Sequence, residues 1–449
     1  MGSVSVSASA SASAIIWQNN EQDVTVLDLP RSISAAQGDS AYPFTRILRS
    51  SQPPETPFGT HEPGSEKARA KLCGNTVDET LHAEYQHLLH HALMQVREHH
   101  KHAWCHPRPF VHDNDHSRPT KKRKLSSGVG DSVVSNNAVL ANSANAHLLP
   151  AFLASITNLK AGNFASRVCA ESGLCTQVVS HRHGERAFCW TSPSPAELEI
   201  TLDDDTRNFR IPPGSTAFLG DCSEARLFHN ELRNQAHEND TRRHFDFILL
   251  DPPWPNRSVK RSRKTPGTTY RTCSTLDEVC NLLASMDLDM LMADDCLVGI
   301  WITNKASIRD LVLNEEYGLF ATWGIKLEEE WLWLKTSISG EPITPLESVW
   351  RKPYEVLLLG RKQRRGMVDH ATVTLSNQLC ERRVLISVPD LHSRKPCLKQ
   401  LIEPFMTDLE NYRALEVFAR HLVAGWWSWG SECLRFNWDG CWCKHDFGA

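Results

Sequence analysis

The stretch Phe245-Asp-Phe-Ile-Leu-Leu-Asp-Pro-Pro-Trp254 decides the fold of this 449-residue chain. The run Phe245–Leu250 is apolar at almost every position, which is typical of a strand buried on both faces of a parallel sheet. It stops at Asp251, because the two prolines that follow fix their own φ angles and cannot donate to a sheet ladder. The sequence therefore predicts a stiff turn at the carboxyl end of a central strand, where α/β sheets bind their ligands.

Further short apolar runs alternate with helical patterns through the C-terminal half. Thr275 followed by Glu278 is a capping-box pattern, and it predicts a helix that continues to about Met292. Strands that alternate with helices indicate an α/β fold with a mostly parallel sheet covered on both faces. The predicted strands are Phe245–Leu250, Cys296–Thr303, Leu327–Leu334, Glu355–Leu359, Val384–Val388 and Ala414–Phe418, and further helices are predicted at Lys305–Glu316 and Cys397–Glu403.

The N-terminal half has a different composition. Strand-like segments at Ile15–Trp17 and Val24–Leu29 precede a helix from Asp78 to about His102, whose apolar residues return on one face. A second helix is predicted from His147 to Lys160. These patterns divide the chain into a disordered tail (1–13), an N-terminal domain with a long helix (14–111), a polar linker with a basic cluster (112–145), a middle domain (146–216) and a C-terminal α/β domain (217–449).

Composition excludes several classes of protein. The 49 Lys and Arg against 53 Asp and Glu give a net charge of −4, which excludes a wholly basic nucleic-acid coat. The 14 cysteines follow no secretory leader, so a disulfide scaffold is not expected. No apolar run reaches the roughly 18 residues of a membrane span. No metal site is predicted, because Cys441-Trp-Cys443 lacks a common zinc spacing and only His87 and His91 pair on the His-rich helix.

The turn that ends the central strand has the chemistry to hold an amino group on a planar base. The Asp251 carboxylate and the Pro252 carbonyl can accept the two N–H hydrogens, while Pro253 or Trp254 covers the ring face. Stacking on an aromatic side chain contributes roughly 1–3 kcal/mol per base. The alternative, which this fragment alone leaves open, is an ordinary proline-rich turn with a surface tryptophan.

Together with other motifs, this turn resembles the catalytic signature of the MT-A70 family of N6-adenine methyltransferases. The resemblance covers about Ala217 to Phe436, and within the family it is strongest for the methyltransferase-like protein 4 subgroup. It implies a permuted, Rossmann-like S-adenosylmethionine-dependent methyltransferase domain behind a helical and mixed N-terminal extension. The order of the motifs agrees, since the cofactor-side strand Ala414–Phe418 follows the catalytic strand. No Gly-x-Gly-x-x-Gly lies near these strands, so a nicotinamide site is not supported.

The resemblance also implies roles for individual residues. Ser431 stands where the family usually has Asn, so the neighbouring Glu432 is the firmer ribose ligand of the two. His421 differs by one residue in spacing from the family's histidine. The implied catalytic residues are Asp251, Pro252, Pro253 and Trp254; the implied cofactor ligands are Asp221, Cys222, Asp251, Lys395, Glu416, Arg420, Ser431 and Glu432; and Tyr270 and Glu355 are implied near the target base.

Two basic stretches indicate nucleic acid and the nucleus. The first follows the catalytic turn directly and is predicted to hold a nucleic-acid backbone through phosphate contacts, the alternative being a solvated surface loop. The second, Lys121–Lys124, is typical of a nuclear import signal, the alternative being a chance charge run. The predicted location is the nucleus, with the cytoplasm as an additional one. The predicted phosphate-binding residues of the first stretch are Arg257, Lys260, Arg261, Arg263 and Lys264.

The resemblance implies a nucleic-acid substrate, with RNA preferred to DNA. For the subgroup it implies N6-methylation of 2′-O-methyladenosine in U2 small nuclear RNA, with DNA adenine as the alternative substrate. A catalytically silent binding subunit is a second alternative, although Asp251, Trp254 and Lys395 are all present. A small-molecule methyltransferase would leave the basic stretch after the turn unexplained. The sequence is compatible with a monomer and predicts no membrane partner.

Overall fold

The computed structural model describes residues 13–59, 65–66, 78–110, 149–157, 164–170, 175–180, 187–255, 273–348, 351–364, 380–391 and 394–443. Among these residues, no helix is both long enough and apolar enough to cross a membrane.

In chain order the strands are β1 (Ile15–Gln18), β2 (Val24–Leu27), β3 (Ile47–Leu48), β4 (Phe164–Ala170), β5 (Cys175–Ser180), β6 (Ala187–Thr191), β7 (Ala196–Leu202), β8 (Asp205–Ile211), β9 (Thr216–Gly220), β10 (Phe245–Leu250), β11 (Met292–Ile302), β12 (Ile325–Lys335), β13 (Tyr354–Lys362), β14 (Glu381–Ser387), β15 (Ala414–Val417), β16 (Trp426–Trp429) and β17 (Trp442–Cys443). The α-helices are α1 (Leu29–Ala35), α2 (Glu79–His99), α3 (Leu149–Thr157), α4 (Ala225–Glu238), α5 (Leu276–Ala284), α6 (Ala306–Leu313), α7 (Leu319–Trp323) and α8 (Lys399–Ile402).

One large sheet organises the molecule, in the order β1-β2-β14-β12-β13-β11-β10-β15-β16-β9-β6. Most of its neighbouring pairs are parallel, and β13 is the antiparallel exception inside the sheet. Strand β10 lies between β11 and β15, and its side chains enter core clusters on both faces. This explains why its sequence is apolar at almost every position, and the sheet confirms the predicted α/β class.

The strand order is permuted relative to the chain. Strands β15 and β16 come last in the chain among the strands of this sheet, yet they insert between β10 and β9. The catalytic strand and the cofactor-side strand are therefore direct neighbours, although about a third of the chain separates them. This arrangement agrees with the motif order in the sequence.

The long helix α2 packs against the sheet beside β2 and β14. Its buried residues Tyr85, Leu89, Ala92, Leu93 and Val96 return every three or four positions, as an amphipathic helix requires. Asp78 caps the helix by accepting a hydrogen bond from the Thr80 N–H at 2.8 Å. The N-terminal extension therefore shares one core with the central sheet.

A second, four-stranded antiparallel sheet, β5-β4-β7-β8, lies within the segment predicted as a middle domain. Helix α3 belongs to the same hydrophobic cluster as residues of this sheet. Strand β6, which lies between β5 and β7 in the chain, pairs instead with β9 at the edge of the large sheet. The proposed division of the chain into five segments stays a prediction.

The helix predicted from Thr275 to about Met292 is shorter than expected. Thr275 caps it, but α5 ends at Ala284, and Asp287 takes a left-handed conformation with φ of 47°. A left-handed residue cannot continue a right-handed helix. A short 3₁₀ turn follows, and Met292 begins β11.

Candidate active site

The candidate site lies at one edge of the large sheet. Strands β9, β10, β11, β12, β15 and β16 all point their carboxyl ends to this edge, while the antiparallel strand β13 begins there. The residues that follow those ends therefore converge although they are far apart in sequence. They include Asp221, Asp251, Thr303, Lys335 and Tyr354-Glu355.

The catalytic turn is held at two points. The Trp254 N–H donates to the Pro252 carbonyl at 2.7 Å, and the Trp254 indole N–H donates to the Trp301 carbonyl of β11 at 2.6 Å. Beyond the turn, the Lys305 ammonium donates to the Pro255 carbonyl. Because Trp254 is only 8% exposed and Pro253 is more open, Pro253 is the better placed of the two to cover a base.

A chain of alternating charges lies beside the turn. The Lys395 Nζ is 3.3 Å from the Asp251 Oδ1 and 2.7 Å from the Glu355 Oε2. The Lys335 ammonium binds the other oxygen of Glu355. The side chains of Asp251 and Glu355 are each 27% exposed, so a ligand can reach this cluster from solvent.

Two indole rings support the ammonium groups. The Lys395 Nζ lies 5.2 Å from the ring centre of Trp301, and the Lys335 Nζ lies 4.5 Å from that of Trp333. Burial alone would lower the pKa of Lys395, but Asp251 and Glu355 raise it above its ordinary value. Burial alone would raise the pKa of Glu355, but Lys335 and Lys395 bring it below its usual range. Both partners therefore stay charged.

The cofactor-side residues lie next to this cluster. Burial and the neighbouring Asp251 charge raise the pKa of Glu416 to about 8, against the effect of Arg420. Glu416 is therefore largely neutral at pH 7. The Glu432 carboxylate lies 3.5 Å from the Arg420 guanidinium and 3.1 Å from that of Arg435.

The turns after β15 and β16 pack tightly against each other. Phe418 takes a left-handed conformation with φ of 60°, which is costly for a bulky residue and is often found at ligand sites. A Cβ on Gly430 would lie 3.1 Å from the backbone nitrogen and oxygen of Ala419, so glycine permits this approach. Ser431 and Glu432 follow Gly430 directly, so this close packing sets their positions.

Asp221 and Cys222 form a short loop after β9. The Asp221 carboxylate accepts the Ser223 N–H at 2.8 Å, which orders the loop. Burial raises the pKa of the Cys222 thiol well above its ordinary value, so the thiol stays neutral. Because this side chain is also buried, the backbone of Cys222 is better suited than the thiol to hydrogen bonding with an adenine ring.

The residues present fit S-adenosylmethionine. Lys395 has three N–H donors, and two of them serve Asp251 and Glu355, which leaves one for the methionine carboxylate. Glu416 and Glu432 suit ribose hydroxyls. Within the described residues, the buried Trp429 Nε1 has no hydrogen-bond partner, and neither has the buried His421 Nε2. Burial and then Arg394 lower the pKa of His421 to about 4, so its ring is neutral.

The structure brings most of the predicted residues together. Glu355, predicted near the target base, contacts Lys335 and Lys395, and its role toward a base stays a prediction. Sequence reasoning missed Lys335, Trp301 and Lys305. Lys335 stands one residue beyond a predicted strand, and that position was the only available signal. Arg257, Lys260, Arg261, Arg263, Lys264 and Tyr270 lie outside the described residues, and their roles stay predictions.

Comparison with known proteins gives consistent results. A family model described as MT-A70 matches residues 245–432. The N6-methyladenosine RNA methyltransferase MTA1 of Pyricularia oryzae is 31% identical over 447 residues, which cover 95% of this chain and 95% of that protein. The human N(6)-adenine-specific methyltransferase METTL4 is 34% identical over 234 residues, which cover 51% of this chain and 44% of METTL4. A DNA N6-methyl methyltransferase of Caenorhabditis elegans is 31% identical over 245 residues, which cover 54% of this chain and 58% of that protein.

The permuted sheet and the acidic turn at its carboxyl edge define a Rossmann-like methyltransferase. The chain belongs to the MT-A70 family and is an S-adenosylmethionine-dependent adenine-N6 methyltransferase. The predicted family, fold class and enzyme class are thereby confirmed.

Proposed function

We propose that this chain methylates the N6 position of adenine in RNA, with S-adenosylmethionine as the methyl donor. The observation that carries the proposal is the contact of Lys395 with Asp251 at the end of the catalytic strand. Asp251, which would accept the hydrogens of the amino group, therefore lies beside Lys395, which would bind the methionine carboxylate. A methyl donor and a base held by these two residues would face each other.

The residues of the turn act on the amino group by positioning and electrostatics. The adenine amino nitrogen is a poor nucleophile, because its lone pair is delocalised into the ring. Asp251 and the Pro252 carbonyl accept its two hydrogens, which favours the pyramidal nitrogen of the transition state. The Pro252 carbonyl already accepts the Trp254 N–H, and its second lone pair serves the base.

S-adenosylmethionine, when bound, supplies a methyl group on a sulfonium sulfur. Lys395 would hold its carboxylate, and Glu416 would hold its ribose. No dedicated base is required, since the amino nitrogen loses a proton readily once it is methylated.

RNA is favoured over DNA by the extent of the relatives' similarity. The relative named an RNA methyltransferase is similar over nearly its whole length, including the part of this chain that precedes the catalytic domain. The relative named a DNA methyltransferase matches only about half of this chain. The finer proposal, from the subgroup resemblance, is 2′-O-methyladenosine in U2 small nuclear RNA.

The test combines the full chain with isotopically labelled cofactor and separate pools of small RNA and DNA. We expect labelled N6-methyladenosine in the RNA pool, and a stronger signal from a U2-derived oligonucleotide that carries 2′-O-methyladenosine than from its unmethylated match. Asp251→Ala is the control, and we expect a loss of roughly 10²–10³-fold in rate. Label in DNA alone would overturn the RNA proposal, and more than a few per cent of activity in Asp251→Ala would remove that residue from its role.

We also propose nuclear localisation from Lys121–Lys124, which lie outside the described residues. A tagged chain with alanine at these four positions should remain in the cytoplasm. Nuclear accumulation of that variant would contradict the proposal.

A further inference from the structure

We infer that a cavity between α2, α6 and the sheet edge binds the base of a nucleotide adjacent to the target adenine. This inference rests on the proposed function, because it assigns the occupant to the same substrate strand. The cavity has a volume of about 390 Å³, within the range of roughly 300–1,000 Å³ that is usual for small-molecule sites. Its apolar walls include Leu81, Tyr85 and Val356, and its polar lining includes Thr303, Asn304 and Lys305.

The cavity lies beside the catalytic turn without being part of it. Leu250 of β10 pairs with Ile300 of β11, so Thr303 is two residues beyond the level of Asp251 on the neighbouring strand. At about 3.3 Å per residue and about 4.8 Å between strands, the two backbones are on the order of 8 Å apart. Lys305 links the cavity to the catalytic turn, because it lines the cavity and its ammonium group donates to the Pro255 carbonyl.

Two residues of the cavity lining, Thr303 and Asn304, each carry a buried polar atom without a partner in the described part of the chain. Within the described residues, the buried Thr303 Oγ1 and Asn304 Oδ1 have no hydrogen-bond partner. The Asn304 Nδ2 donates to the Tyr354 carbonyl at 2.7 Å, which fixes the amide orientation and leaves Oδ1 as an acceptor. An acceptor beside a hydroxyl matches the edge of a base that carries an N–H or amino donor.

The charges of the lining favour a base over a phosphate. Arg309 is paired with Glu330 and donates to the Tyr85 hydroxyl, so its charge is offset within the protein. The exposed carboxylates of Asp78, Asp310 and Glu315 also line the cavity and would repel a phosphate. An uncharged planar ring between Leu81 and Val356 needs no cationic partner and is not repelled by the carboxylates.

The experiment measures methyl transfer to RNA oligonucleotides that differ only in the bases on either side of the target adenine. Leu81→Trp fills the cavity, and Leu88→Trp is its matched control, since Leu88 lies two turns along the same helix face and does not line the cavity. Thr303→Val is the second variant, and it removes a hydroxyl that no described residue binds. Thermal unfolding and cofactor affinity are measured for every variant.

We expect Leu81→Trp to raise KM for RNA by roughly tenfold or more and to abolish any preference among neighbouring bases. Thr303→Val should raise KM by roughly three- to tenfold, only for bases that present a donor. Both variants should keep the wild-type kcat and cofactor affinity, as should Leu88→Trp. If the wild type methylates RNA while Leu81→Trp and Thr303→Val keep its KM and base preference, the subsite is wrong and the proposed function stands. If the wild type methylates no RNA, both fail.

Discussion

The ammonium group of Lys395 lies between two carboxylates that come from different strands. Asp251 follows β10 and Glu355 opens β13, and each is within hydrogen-bonding or ion-pair distance of the same nitrogen. Lys335 neutralises the second oxygen of Glu355. Without Lys335, the carboxylate of Glu355 would draw Lys395 more strongly away from Asp251 and from a cofactor carboxylate.

Replacing Lys335 should therefore weaken cofactor binding although Lys335 itself is not assigned to the cofactor. For Lys335→Met we expect an increase of roughly tenfold in the Kd for S-adenosylmethionine, measured by calorimetry, because a partly buried charge loses its partner. Lys326→Met is the matched control, since Lys326 is an exposed lysine on the same strand. An unchanged Kd in Lys335→Met would show that Glu355 holds its place without Lys335.

Glu416 should make the stability of the cofactor-free protein depend on pH. Its pKa rises from an ordinary 4.5 to about 8 in the folded protein. The folded state thus binds the proton more tightly, so this stabilisation is complete below pH 4.5 and is lost as the pH rises toward 8.

In Glu416→Gln the decline in melting temperature between pH 5 and pH 8 should be smaller than in the wild type. Thermal unfolding at several pH values checks this, with Glu197→Gln, an exposed carboxylate of the antiparallel sheet, as the control. Identical slopes in Glu416→Gln and the wild type would contradict a raised pKa at this position.

At the scale of single elements, the catalytic turn depends on one indole. The Trp254 indole N–H donates to the Trp301 carbonyl, and this bond joins the turn to the neighbouring strand. The prolines make the turn stiff, and this anchor fixes the position of its last residue against β11. The orientation of the turn then sets the directions of the Asp251 carboxylate and the Pro252 carbonyl.

Trp254→Phe should lower both stability and activity. The loss of one buried hydrogen bond costs roughly 1–3 kcal/mol when a partner is left unsatisfied, and the released turn should lower kcat. The control is Trp190→Phe, in which a buried indole loses its 3.0 Å bond to the Ser166 hydroxyl in another part of the protein. We expect a similar loss of melting temperature in both variants but reduced kcat only in Trp254→Phe, and equal kcat values would count against the anchor.

At the scale of the whole molecule, the N-terminal extension completes the central sheet. Strand β2 pairs with β14, and α2 covers that part of the sheet with a buried apolar face. The Tyr85 hydroxyl of α2 donates to Glu330 of β12 at 2.8 Å. The catalytic segment 217–449 therefore lacks part of its own core.

The isolated segment 217–449 should be less stable than residues 13–449. Its β14 edge would be unpaired and the sheet face under α2 would be exposed, which promotes aggregation. We expect a lower melting temperature by circular dichroism and loss of soluble protein on concentration. Equal melting temperatures for the two fragments would show that the extension is an independent domain.

Much of the fold could be predicted because its signals act over short distances in the chain. The apolar run Phe245–Leu250 and the prolines after it specify a buried strand and a stiff turn through neighbouring residues alone. The periodicity of α2 is equally local. The end of α5 was missed, because the left-handed conformation of Asp287 is set by the entry into β11 and has no clear local signal.

The amino-acid sequence by itself determined the class of the domain, the acidic turn and the family to which the chain belongs. Only the tertiary structure decided that Lys335 and Lys395 share Glu355, that Trp254 is an anchor, and that a cavity lies beside the turn. The physical reason is the register of strands that are distant in the chain. The pairing of Leu334 with Tyr354 and of Leu250 with Ile300 sets which side chains meet, and no local pattern encodes such pairings.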